Sequence, residues 1–79
     1  MLIGKRLFYK EGWHESLKSQ KVQIVSVHRG EQILEDDTLI GELKEGDWLE
    51  VAPIITEDGQ ERLSFATHDA LASHLIWQD

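Results

Sequence analysis

The amino-acid sequence predicts a mainly β fold of the α+β kind: a small antiparallel sheet curled into an SH3-like or partly open barrel, with a C-terminal helix. Short runs of β-branched and aromatic residues recur between polar turns rich in Gly, Asp and Glu, the pattern of short strands joined by tight connections. Past Thr67 the apolar spacing changes to a helical period. A chain of 79 residues has material for one hydrophobic core only, so residues 1–79 are expected to form a single small β-rich domain.

Leu2–Tyr9 reads as the first strand. Its even positions hold Leu2, Gly4, Arg6 and Phe8 and its odd ones Ile3, Lys5, Leu7 and Tyr9, so alternation does not say which face is inward. Phe8 is expected in the core, the common fate of an aromatic in a small domain. Glu11-Gly12 breaks the strand, and Trp13–Gln20 reads as a loop, with a helical turn at Ser16–Ser19 as the alternative. Lys21–His28 is a second strand, because Val22, Ile24, Val25 and Val27 suit a pleated, half-buried surface. Arg29-Gly30-Glu31 signals a turn, and Gln32–Glu35 returns antiparallel through Ile33 and Leu34. Asp36-Asp37 turns the chain again, and Thr38-Leu39-Ile40 is a short apolar run ended by Gly41.

Lys44-Glu45-Gly46-Asp47 is a tight polar turn from which the strand Trp48–Ile55 leaves. Its odd positions, Leu49, Val51, Pro53 and Ile55, are apolar and should face the core. Pro53 has no N–H to donate, which places this strand at a sheet edge or Pro53 at a bulge. Thr56–Gln60 contains Asp-Gly and closes a hairpin with Glu61–Phe65, in which Leu63 and Phe65 face one way. Thr67 then reads as a helix cap with Asp69 in the first turn, followed by an apolar stripe of Ala70, Leu71, Ala72, Leu75 and Ile76. Asp79 sits at the unfavourable end of that helix dipole. The rival reading makes Leu75-Ile76-Trp77 a final strand. Trp48 and Trp77 are expected at the core or its edge, and Trp13 exposed. The Glu45-Gly46-Asp47 turn leading into Trp48 resembles turns of small barrels and the last turn of ubiquitin-like sulfur carriers, but only over the turn and its strand. The Gly-Gly terminus of those carriers is replaced by Trp77-Gln78-Asp79.

Charge is partitioned along the chain. Of the net −7, residues 1–30 hold six bases (Lys5, Arg6, Lys10, Lys18, Lys21, Arg29) against two acids, whereas residues 31–61 hold eleven acids against Lys44 alone. Like charges gathered on one surface steer partners of opposite sign. The plain alternative is that these acids serve turns and that the two halves neutralise each other in the fold.

Chemistry-bearing motifs are absent from the sequence. With no cysteine there is no disulfide framework or thiolate zinc site. His68 and His74 are six residues apart and diverge on a helix, and His14 and His28 lie in other segments. Glu35-Asp36-Asp37 and Glu57-Asp58-Gly59 lack the ligand spacing of a calcium loop. No serine has a nucleophile-elbow context and the glycines are scattered singly. The expectation is a protein that is not an enzyme and takes no cofactor and no metal. Lys5 and Arg6 interrupt the opening apolar run, which does not read as a signal peptide, and no segment has the roughly 18 apolar residues of a membrane span. Absence of cysteine fits the cytoplasm.

The favoured function is a regulatory or adaptor protein whose acidic segment 31–61 docks on a basic macromolecule. A nucleic-acid-binding protein is one such partner, the acids then imitating phosphate. The residues expected to carry this are Glu35, Asp36, Asp37, Glu42, Glu45 and Asp47, with Trp13 as an aromatic anchor. One alternative is direct nucleic-acid binding by Lys5, Arg6, Lys10 and Tyr9, where charge and stacking surface interleave, against the opposition of the net −7. A second alternative is a homo-oligomer in which the basic half of one copy meets the acidic half of another.

Overall fold

A computed structural model describes residues 1–77. Seven strands form one antiparallel sheet: β1 (Arg6–Tyr9), β2 (Lys21–Arg29), β3 (Gln32–Leu34), β4 (Trp48–Glu57), β5 (Gln60–Leu63), β6 (His68–Ala70) and β7 (Leu75–Ile76). One α-helical turn, α1 (Asp37–Ile40), and 3-10 turns at Glu15–Leu17 and Ala72–His74 complete the described residues. The hydrogen-bonded path runs β5-β4-β2-β1-β7, with β3 added to β2 and β6 to β4. β5 and β7 end this path unpaired with each other, so among the described residues the sheet is mainly β, antiparallel and not closed.

The two long strands form the spine. β2 and β4 pair from Val22↔Pro53 to His28↔Trp48, with a bulge between Ile24 and Ser26. The extra residue resets the alternation: Val22 and Ile24 point inward before the bulge and Val27 after it, while Ser26 and His28 turn to the other face. Opposite them the odd positions of β4 behave as their alternation dictates, with Leu49, Val51 and Pro53 buried. Leu7, Tyr9, Leu17, Ile40, Ala70 and Leu75 complete the core, and Leu2, Ile3, Leu34 and Leu43 pack against its margin.

Local turn chemistry explains the hairpins. β4 and β5 pair through Glu57↔Gln60, leaving Asp58-Gly59 as a two-residue loop. Both residues have positive φ, 51° and 76°, the backbone that matches the twist of two adjoining strands. β2 and β3 pair through Arg29↔Gln32 with Gly30-Glu31 between them. The run Thr38-Leu39-Ile40 is a helical turn, because the Asp36 carboxylate accepts from Thr38 N at 2.8 Å and caps it.

Four expectations are corrected. The C-terminal helix is absent: the segment forms β6, a 3-10 turn and β7, in agreement with the rival strand reading at Leu75-Ile76. β6 pairs with β4 through Val51↔His68 and Leu49↔Ala70, and β7 pairs with β1 through Tyr9↔Leu75. Those ladders satisfy backbone groups and bury Ala70 and Leu75, whereas an isolated helix of this length is marginal. Asp79 lies outside the described residues. Pro53 sits neither at a sheet edge nor at the bulge. It lies between β6 and β5, and its carbonyl accepts from Ser64 N at 2.9 Å, so its missing N–H falls on that same side, in the seam. Phe8 is turned outward and Tyr9 inward. Trp48 and Trp77 lie outside the core cluster.

Candidate functional site

The acids of segment 31–61 differ in what the fold brings to them. Asp36, Asp37 and Asp47 are engaged within the fold. Asp36 caps α1. Asp37 Oδ1 accepts from Leu2 N at 2.6 Å and Ile3 N at 3.1 Å, tying the chain's start to α1, and these two bonds hold its carboxyl below the usual range. Asp47, with a side chain only 4% exposed, forms a fork with Arg29: Nε lies 3.0 Å from Oδ1 and Nη2 lies 2.8 Å from Oδ2. Lys44 N donates to the same Oδ2 at 2.8 Å. The guanidinium is the main cause that lowers the Asp47 carboxyl, and Asp47 in turn raises Arg29. Arg29 Nη2 also donates to the carbonyls of Ile40 and Glu42. The loop after α1 is thus stapled to the end of β2.

Glu31, Glu35, Glu42 and Glu45 remain exposed around that staple. The same segment carries two exposed apolar side chains, Ile33 at 60% and Leu39 at 66% exposure. Two other acids of the segment are paired at the far end of β4: Glu61 with Arg6 and Glu57 with Arg62, the Arg62 contact lowering the Glu57 carboxyl.

Three exposed lysines lie at the opposite end of β2. Tyr9 N donates to Gln20 O and Ser19 N to Tyr9 O, both at 2.8 Å, which brings Lys10, Lys18 and Lys21 around the β1–β2 connection. Lys21 and Arg29 are the first and last residues of β2. At about 3.3 Å per residue they are about 26 Å apart, within a molecule whose longest dimension is 36 Å. That distance is about three Debye lengths at physiological salt. The two halves are therefore stitched by a few internal pairs, and of the remaining exposed charges Lys10, Lys18 and Lys21 lie with Glu11 and Glu15 at one end of β2, and Glu31, Glu35, Glu42 and Glu45 with Lys44 at the other.

The residues expected to contact nucleic acid do not share one surface. Tyr9 is fully buried, with its hydroxyl accepting from His14 N at 3.2 Å, and offers no stacking face. Arg6 is paired with Glu61, Lys5 is half-buried, and Lys10 is exposed at the basic end. Phe8 takes the exposed place instead. It lies beside Ile76 across the β1–β7 ladder, with the Lys21 ammonium 5.8 Å from its ring centre. Trp13 is exposed as expected and meets His74 edge-on at 4.9 Å.

A polar cluster on the outer face of β2 and β4 escaped the sequence reading. Glu50 accepts from Ser26 Oγ at 2.8 Å and Thr67 Oγ1 at 2.6 Å and lies 3.1 Å from His28 Nε2. His28 stacks on Trp48 at 3.8 Å, and Ile33 is its neighbour on β3. The residue types are those of a nucleophile–histidine–acid set, but the connectivity differs. Both hydroxyls donate to the carboxylate, not to an imidazole. Those bonds, from Thr67 first, then His28 and Ser26, hold Glu50 ionised below its usual range. Both oxygens are engaged, so the group acts as a cross-link of β2, β4 and the segment before β6. The partners lie far apart in sequence, and only strand pairing could have revealed them.

Three histidines also converge. The His14 and His68 rings lie 4.7 Å apart, and His74 Nδ1 accepts from Leu71 N at 3.0 Å while burial lowers its pKa. Among the described residues no three His, Asp or Glu side chains are grouped to hold a metal ion, and no pocket opens on the surface. Nor is any helix long and apolar enough to cross a membrane. Comparison of the chain with protein-family models, curated proteins and solved structures finds no match.

Proposed function

We propose that this protein is a non-catalytic regulatory or adaptor protein that binds a basic macromolecule through the acidic end of the molecule. The observation that carries the reading is the exposure of Ile33 and Leu39 on the same segment as exposed Glu31, Glu35, Glu42 and Glu45. An apolar centre rimmed by charge is the anatomy of a docking surface. Asp36, Asp37 and Asp47 serve this surface indirectly, by holding the loops that present it. The unclosed sheet is read as a partly open SH3-like barrel whose ends carry the contact loops. A cytoplasmic nucleic-acid-binding protein is the partner class whose phosphate-contacting site such a surface would engage.

The test uses a fluorescent amphipathic lysine-rich peptide as probe. Substituting Glu31, Glu35, Glu42 and Glu45 together by Gln should weaken its binding by about tenfold or more, about 1.4 kcal/mol, and the wild-type affinity should fall with salt. A control removes the same number of charges elsewhere, at Glu11, Glu15, Asp58 and Asp69. Equal weakening in the two variants would reduce the effect to net charge and refute the assigned surface.

A further inference from the structure

We infer that the basic end of the molecule is a docking site for the acidic end of a second copy, so that the protein assembles head to tail. This rests on the acidic end being a docking surface. Each end carries exposed apolar side chains and an excess of one charge: three exposed lysines against Glu11 and Glu15 at one, four exposed glutamates against Lys44 at the other. At the basic end Phe8 and Ile76 are neighbours across the β1–β7 ladder and both exposed, with Lys21 over the Phe8 ring and Lys10 and Lys18 exposed in the adjoining β1–β2 connection. At the acidic end Ile33 and Leu39 are exposed on the same segment as the four glutamates. The ends lie at opposite termini of β2, about 26 Å apart by strand rise, so neither can satisfy the other within one copy.

Two different patches meeting make a heterologous contact, which extends instead of closing into a two-fold dimer. Opposed lysines and glutamates set the orientation, and burial of Phe8 and Ile76 against Ile33 and Leu39 supplies the non-directional part. Nucleic acid is the less fitting occupant of the basic end. Glu11 and Glu15 are exposed on the same connection as Lys10 and Lys18 and oppose any anionic partner, while exposed Phe8 and Ile76 offer an apolar surface that Ile33 and Leu39 can cover and a phosphate backbone does not.

Sedimentation velocity on the full chain tests the inference. Wild-type protein should show mass rising with concentration at low salt and falling back to monomer at high salt. Two variants divide the interface: Glu31, Glu35, Glu42 and Glu45 to Gln removes the acidic end, and Lys10, Lys18 and Lys21 to Gln removes the basic end. All seven side chains are exposed, and circular dichroism checks that each variant keeps the wild-type spectrum. Each alone should be monomeric. Their equimolar mixture retains one intact end of each sign and should form dimers and nothing larger. Wild-type protein that stays monomeric at low salt, or a mixture that does, overturns the inference. Wild-type monomer that still binds the lysine-rich peptide leaves the proposed function standing while head-to-tail assembly fails; loss of peptide binding as well removes both. Retention of a single-stranded oligonucleotide, abolished by the lysine substitutions and without self-association, overturns it in favour of nucleic acid.

Discussion

Removing the Asp47 carboxylate should cost far more than removing any of its exposed acidic neighbours. In Asp47→Ala the Arg29 fork loses its acceptor and Lys44 N loses the 2.8 Å bond that closes the turn before β4. Hydrogen bonds to a charged group contribute about 1.5–3 kcal/mol each, and breaking a buried ion pair costs about 3–5 kcal/mol. Arg29 is 22% exposed and keeps two backbone carbonyl acceptors, so water and those carbonyls recover part of the loss, leaving about 2 kcal/mol. The core of so small a domain supplies roughly 3–5 kcal/mol, so the variant should lose about half its stability. Urea unfolding followed by tryptophan fluorescence measures it, with Glu45→Gln as the exposed comparison, expected within about 0.5 kcal/mol of wild type. A double-mutant cycle with Arg29→Ala isolates the pair. If Asp47→Ala and Glu45→Gln shift the midpoint equally, Asp47 belongs to the solvated acids and the staple does not exist as described.

Acidification should destabilise the protein in two stages. His74 is lowered by burial, so its contribution is present above the unfolded value of about 6.5 and declines as the unfolded chain takes up a proton below it. The carboxyls of Asp37, Asp47, Glu50 and Glu57 are lowered by their bonds. Their contribution is full above about pH 5 and is lost as pH falls through the folded values. A urea midpoint that rises between pH 7 and pH 4 would contradict both signs, and Asp47→Ala should flatten the acid limb. Gly12→Ala should cost about 2 kcal/mol, because a Cβ there would lie 2.5 Å from His74 Cγ. The His74 ring cannot move aside freely, being held by Leu71 N and packed by Trp13. Gly4→Ala meets nothing within 4 Å and bears only its positive φ, so equal destabilisation of the two would refute the close approach.

What the sequence by itself determined is what neighbouring residues decide. The Asp58-Gly59 turn, the Gly30 turn and the inward odd face of β4 follow from backbone preferences and period-two alternation over a few contiguous residues. The acidic character of segment 31–61 was legible for the same reason. Tertiary structure decided the rest. His68–Ile76 carries a helical apolar spacing and a good cap, yet the open flanks of β4 and β1 offered ladders that a lone helical turn could not match. Alternation in β1 was ambiguous until pairing with β2 placed Leu7 and Tyr9 inward and turned Phe8 to solvent. The acids divided into scaffold and surface only when the fold brought Arg29 to Asp47 and the first residues of the chain to Asp37. Charge is a property of the residue, but whether a carboxylate is free to meet a partner depends on which donors the rest of the chain delivers to it.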